Sequence, residues 1–200
     1  MKFPDTKKKI LNSALDFFSQ HGYSGASIRQ IVRAVGVRES AIYNHYKSKE
    51  EIFQAILSSF KLRTISKEIL SDDLLDEVVN PQRFLKKFAT RLIEHWNKPE
   101  ERKFIRVLLM EQFTPIGNIE LSTTDYLSEL RKICQLIFSE MVNTKIIKTF
   151  DSSLLADEFT ASLFLIRTEF LSSDNHTNIN AVYERVNKHV EFFWEAIKAN

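Results

Sequence analysis

The 200-residue chain is poor in cysteine, glycine and proline: one Cys, four Gly and four Pro. With Cys134 alone, no disulfide can form within the chain, which suits a reducing cytosol. Cys134 lies in the apolar helical stretch LRKICQLIF and reads as a buried structural thiol rather than a sensor. Few stretches look like strands, and with Gly and Pro so scarce the chain reads as all-α. No apolar run approaches the ~18–20 residues that span a bilayer. The start, MKFPDTKKK, lacks the apolar core of a signal peptide. A soluble, cytoplasmic protein with no membrane partner is expected. The five histidines, His21, His45, His95, His176 and His189, show no ligand spacing, so no metal site is expected. A Gly-rich phosphate loop, a nucleophile elbow and a His-Glu metal helix are all missing. The chain therefore reads as a non-enzyme without a cofactor.

What is present is a normal globular core fraction, 44% hydrophobic, and an uneven distribution of charge. Residues 1–50 hold nine Lys/Arg and four acids, a net +5, while the remainder nets −3. A basic head on a mildly acidic body is the footprint of a polyanion-binding domain, although surface scatter would produce a weaker version of it. Three glycines, Gly22, Gly25 and Gly36, fall in the first 36 residues, so the head has short helices with sharp turns.

Within the head, SIRQIVRAVGVRESAIYNHY (Ser27–Tyr46) predicts two short helices joined by a tight turn. Ile28, Ile31, Val32 and Val35 repeat at helical spacing, and Ser27 can cap them. Gly36 stands where a helix end needs positive φ. A second helix starts near Arg38, with Ala41 and Ile42 inward and Arg38, Glu39, Ser40, Tyr43, Asn44 and His45 outward or sideways. This is a helix-turn-helix, whose second helix can enter a DNA major groove. Before it, a first helix is predicted from about Thr6 to Gln20, ending at His21-Gly22-Tyr23. After it, Ser48 and Glu51 can form a capping box for a helix running to about Phe60.

The stretch KKKILNSALDFFSQHGYSGASIRQIVRAVGVRESAIYNHYKSKEEIF resembles the DNA-binding domain of the tetracycline-repressor-like (TetR/AcrR) family over about Thr6–Leu57. The basic start, the Phe-Phe and His-Gly-Tyr, the Ile-Arg-Gln-Ile helix, Val-Gly-Val, the Ile-Tyr-x-His-Tyr helix and Lys-Ser-Lys-Glu-Glu follow in family order. Val32 departs from the family's usual Ala at the helix–helix contact. The resemblance implies that Ser27, Tyr43, Asn44, His45 and Lys49 contact phosphates and that Tyr46 is structural. By position and by resemblance, Arg38, Glu39 and Ser40 face the groove floor. Arg38 could bind guanine. Glu39 could accept from cytosine, restrain Arg38, or simply be an acid favoured at a helix start.

The expected organisation is a helix-turn-helix domain over 1–50, a linking helix at about 48–62, and a helical ligand-binding and dimerisation domain over 51–200. In the body, residues 66–82 read as a loop or broken helix. Helices follow from Phe84 to Trp96, from Pro99, from about Leu121 to Val142, from about Ser153 to Leu171 and from about Ile179 to Ile197. The last two are apolar enough to suggest packing against a second copy as a four-helix bundle. Leu155, Phe159, Leu163, Ile166 and Phe170 are expected at that interface on one helix; Val182, Val186, Val190, Phe193, Trp194 and Ile197 are expected there on the other. The same residues could instead complete the chain's own core.

The resemblance further implies a small-molecule effector in the body, with His95, Trp96, Arg106, Gln112, Tyr126 and Arg167 as polar candidates. Sixteen Phe suit an apolar ligand and equally suit a helical core. The expected function is a homodimeric regulator, in the family's manner a repressor, bound to a palindromic double-stranded DNA operator and released by a small molecule. The alternative is a helix-turn-helix regulator acting through a protein partner without a ligand.

Overall fold

A computed structural model describes residues 6–61, 68–172 and 178–199. Among these are ten α-helices, one 3-10 turn and no strand. The first four helices are α1 (Thr6–Gly25), α2 (Ile28–Val35), α3 (Glu39–Tyr43) and α4 (Lys49–Lys61). A short α5 (Asp72–Leu75) runs into the 3-10 turn (Asp76–Val79) and then α6 (Pro81–Trp96). The rest are α7 (Pro99–Glu111), α8 (Thr123–Asn143), α9 (Ser152–Ser172) and α10 (Ile179–Ile197). The broken helix expected over 66–82 is α5 and the 3-10 turn; residues 66 and 67 of that stretch lie outside the described residues. No helix among the described residues is long and apolar enough to cross a membrane.

The chain forms two compact units. The first combines residues 1–63 with 99–126; the second combines 64–98 with 127–200. The division differs from a head closed near residue 50, because the head's core is completed from further along the chain. Ile10, Ala14 and Phe18 of α1, Ile31 and Ile42 of the helix-turn-helix and Phe53 of α4 share their core with Phe104 and Val107 of α7 and with Ile116. α7 packs along α1, and a Lys103–Asp16 ion pair joins the same two helices at the surface.

In the second unit, α6 packs against α9 and α10. Pro81 opens α6 and the Asn80 side chain accepts from the Arg83 N–H, a standard pairing of cap and first-turn proline. The centre is aromatic: Phe138 of α8 meets Phe159 of α9 edge-on at 5.6 Å, and Phe193 of α10 lies 5.2 Å from Phe159. Cys134 is buried beside this layer, and burial pushes its thiol up to about 12, so it stays protonated and inert.

The residues expected at a dimer interface lie as follows. Leu155, Phe159, Leu163, Ile166, Val182, Val186, Val190, Phe193 and Ile197 are all buried within the single chain, and Phe170 and Trp194 are half-buried. Helical periodicity finds the face that packs against something; here that something is the chain's own interior. The apolar residues left outside are different ones: Leu154 at 53% and Leu165 at 56% exposure on α9, and Phe192 at 77% on α10.

Candidate nucleic-acid interface

The candidate interface is built on α2 and α3. Ser27 holds extended backbone before α2, its hydroxyl accepts from the Gln30 N–H at 3.3 Å, and Gln30 Oε1 accepts from the Ser27 N–H at 2.8 Å. That reciprocal capping box satisfies amides that a helix start leaves unpaired. At the other end Gly36 takes φ +74°, and its N–H reaches the Val32 and Arg33 carbonyls. A side chain there would be strained, so the turn depends on glycine. Ile31 and Val32 are buried, which pins α2 to the core and leaves Arg29 and Arg33 exposed.

α3 has only five residues, with Ile42 as its fully buried anchor. Arg38 precedes it in extended backbone, with its side chain free of any capping bond. Arg38, Glu39, Ser40, Tyr43, Asn44 and His45 are all exposed, as expected, and Tyr46 is buried. One turn of helix therefore presents two cations or imidazoles, an acid, a hydroxyl, a phenol and an amide on its outer side. These are the donor and acceptor types that meet base edges and phosphates.

Glu39 and Lys49 each have a partner within the fold. Glu39 faces Arg29 of α2 at 3.7 Å, so the arginine it restrains is not Arg38. Lys49 is half-buried: its ammonium donates to the Tyr23 carbonyl at 2.8 Å and the Ala26 carbonyl at 2.9 Å, and lies 4.2 Å over the Tyr23 ring. Burial lowers its pKa, an effect opposed by the charge of Glu111. Lys49 thus ties the start of α4 to the corner between α1 and α2. The capping box of α4 is also shifted. The Glu51 N–H donates to the Ser48 hydroxyl, but the Glu51 carboxylate accepts from the Lys47 N–H.

Arg29 stands beside these residues, although it is not among those the sequence points to. It lies off the apolar stripe of Ile28, Ile31, Val32 and Val35, on the solvent side of the helix beside the recognition helix. That position was available from the stripe itself.

Residues 10–56 match the family model described as bacterial regulatory proteins, tetR family. Over that segment the chain carries the helix-turn-helix domain of the tetR family. The match covers the capped α2, the Gly36 turn and the exposed α3. The transcriptional repressor AcnR of Corynebacterium glutamicum is 32% identical over 85 residues, 40% of this chain and 44% of that protein. The transcriptional regulator AcrR of Shigella flexneri is 28% identical over 117 residues, 58% of this chain and 53% of that protein. These relatives are named as transcriptional regulators, not enzymes. The chain spans about half the length of the curated relatives it matches. The fold extends further: NalD of Pseudomonas aeruginosa, described as the secondary repressor of a multidrug efflux pump, superposes with a TM-score of 0.67 over 98% of both chains at 16% identity.

The candidate effector residues are divided between the units. His95, Trp96 and Arg167 lie in the second, all buried; Arg106, Gln112 and Tyr126 lie in the first. Arg106 is exposed, Gln112 accepts from the Thr123 hydroxyl at 2.6 Å, and Tyr126 donates to buried Glu101 at 3.1 Å. His95 Nδ1 lies 3.0 Å from Glu68, whose carboxyl is held below the usual range chiefly by its hydrogen bond with Lys98. The Arg167 guanidinium stacks 4.7 Å over the Trp96 ring, while the indole N–H of Trp96 is buried with no acceptor among the described residues.

Proposed function

We propose that the chain is a transcriptional repressor that binds a palindromic duplex operator as a homodimer and is released by a small, largely apolar molecule. The observation that carries the reading is the outer side of α3. Ile42 anchors the helix, and Arg38, Glu39, Ser40, Tyr43, Asn44 and His45 are left exposed around it. Arg38, Glu39 and Ser40 read bases; Tyr43, Asn44, His45 and the Ser27 cap lie on phosphates. Arg29 joins the phosphate-facing set, and Lys49 acts from within the fold.

A single five-residue helix reaches few base pairs, so affinity and specificity call for two copies. Their recognition helices would enter successive major grooves about 34–36 Å apart. The exposed apolar side chains of α9 and α10 supply surface for that pairing. The effector belongs in the second unit, near Trp96 and Arg167. A buried indole N–H with no acceptor among the described residues and a stacked guanidinium suit a molecule with an apolar body and one acceptor group. It acts by binding one conformation more tightly than the other.

The test is fluorescence anisotropy on a duplex selected from a random library by the full chain, against a scrambled duplex at two salt concentrations. Selective binding by a dimer, weakening as salt rises, is expected. Equal affinity for both duplexes would overturn the reading. A thermal-shift panel of apolar compounds carrying one carboxylate or carbonyl then tests the effector, since a true ligand stabilises by mass action.

A further inference from the structure

Glu111, the last residue of α7, lies beyond the 10–56 segment that carries the family match, yet its side chain ends inside the head. It is 7% exposed, and its Oε1 accepts from the Tyr23 N–H at 2.8 Å. The approach is close enough to exclude a side chain next door. A Cβ on Gly22 would stand 2.7 Å from that oxygen, and Gly22 itself takes φ +70° where α1 breaks. Lys49 of α4 grips the same residue by its carbonyl. The Tyr23 residue is therefore held from two sides, its N–H by an acid from α7 and its C=O by an ammonium from α4.

We propose that Glu111 is a positioning residue for DNA recognition, a role that rests on the repressor reading above. Between Tyr23 and the capped start of α2 lie only Ser24, Gly25, Ala26 and Ser27. Where the Tyr23 backbone is fixed, the origin of α2 is fixed, and α3 follows through the Gly36 turn. A helix can end on its own carbonyl bonds or on water. Here the chain just past the break in α1 is tied instead to a desolvated carboxylate, which is costly unless its hydrogen bond and a nearby cation offset it. The arrangement makes the placement of the helix-turn-helix depend on α7, a segment nearly ninety residues away in sequence. Glu111 touches no DNA; it acts through Tyr23.

Glu111→Gln keeps an acceptor for the Tyr23 N–H. Glu111→Met fills the space without one. Both are made in the full chain and followed by two measurements. Hydrogen exchange of the Tyr23 amide, read by NMR without DNA, reports the hydrogen bond itself. Affinity for the selected and scrambled duplexes reports its use. In Glu111→Met the Tyr23 amide is expected to exchange at least tenfold faster, and affinity for the selected duplex to fall about tenfold, the scale of one lost hydrogen bond to a charged group. Scrambled-duplex affinity stays within about twofold, because phosphate-facing cations are untouched. Glu111→Gln restores both quantities to within about threefold of the parent.

If Glu111→Met does not fold, Glu111→Asp takes its place, since it keeps the charge but falls one methylene short of the amide; the same losses are expected. Unchanged Tyr23 exchange would overturn the link. Faster exchange with undiminished selective binding would overturn the positioning role, as would equal losses on both duplexes, the mark of general destabilisation. A parent chain that does not discriminate the duplexes overturns the repressor reading and the positioning role together. The exchange result still reports on the Glu111–Tyr23 bond by itself.

Discussion

On the surface proposed to face DNA an acid opposes phosphate, and Glu39 is paired with Arg29 across the α2–α3 gap. Both partners are largely exposed, so the pair adds at most about 1 kcal/mol to the fold. Under the proposed DNA-binding reading its larger effect falls on DNA, because pairing with Glu39 keeps Arg29 from phosphate. Glu39→Gln should therefore shift the Tm by no more than about 3 °C. Affinity for the scrambled duplex should rise severalfold, and its salt dependence should steepen by about one counterion. An unchanged slope in anisotropy titrations would mean that Arg29 never reaches a phosphate.

His189 shows the opposite situation, an ionisable group in an apolar layer. Its ring lies 5.6 Å from Phe159 and 6.0 Å from Phe193. Burial lowers its pKa, against a smaller raising effect from a hydrogen bond with the Phe159 backbone. Above about pH 6.5 folded and unfolded chains both hold neutral imidazole. Below it the unfolded chain takes the proton first, so stability falls as pH drops through ~6.5 until the lower folded value is passed. The fall in Tm between about pH 7.5 and 5.5 should be smaller in His189→Phe than in the parent. Identical falls by calorimetry would remove His189 from the acid response.

At the scale of elements, punctuation was more legible than role. Ser27 and Gly36 announced the ends of α2 from residue type alone, because caps and positive φ admit few side chains. The exposed set on α3 follows from Ile42 pointing inward. Lys49 was harder, because a lysine at a helix start looks the same whether its ammonium meets phosphate or bends back onto carbonyls. Only the fold brings Tyr23 and Ala26 under it. The two roles differ in a measurable way. Lys49→Met leaves two carbonyls without their charged donor, a loss of about 1.5–3 kcal/mol, or roughly 4–10 °C in Tm for a chain of this size. As a clamp, Lys49 should leave the salt slope of DNA binding unchanged while affinity falls. A slope flatter by about one counterion would return Lys49 to the phosphate-contacting set.

At the scale of the whole molecule, local periodicity carries less. The periodic stripes of α9 and α10 were correctly seen as apolar, but the deepest stripe faces the chain's own aromatic layer. The head's boundary was hidden for a related reason: Phe104, Val107 and Ile116 complete a core begun ninety residues earlier, and no local pattern encodes such a pairing. What remains for a partner is a second stripe, Leu154, Ala161 and Leu165 on α9, three positions seven and four apart that share one exposed side. On α10, Phe192 stands out with Ala181 and Lys188, also exposed. A Phe at 77% exposure leaves most of its apolar area in water, a cost that a second copy removes at about 25 cal/mol per Å² covered. Leu165→Glu combined with Phe192→Glu should therefore yield a monomer by sedimentation while the helical circular dichroism holds, because neither side chain supports the core. Operator affinity should fall at least a hundredfold, since one short recognition helix must then bind alone, while weak salt-dependent binding to any duplex survives. A double variant that still sediments as a dimer would show that the two copies meet elsewhere than on the α9 and α10 faces.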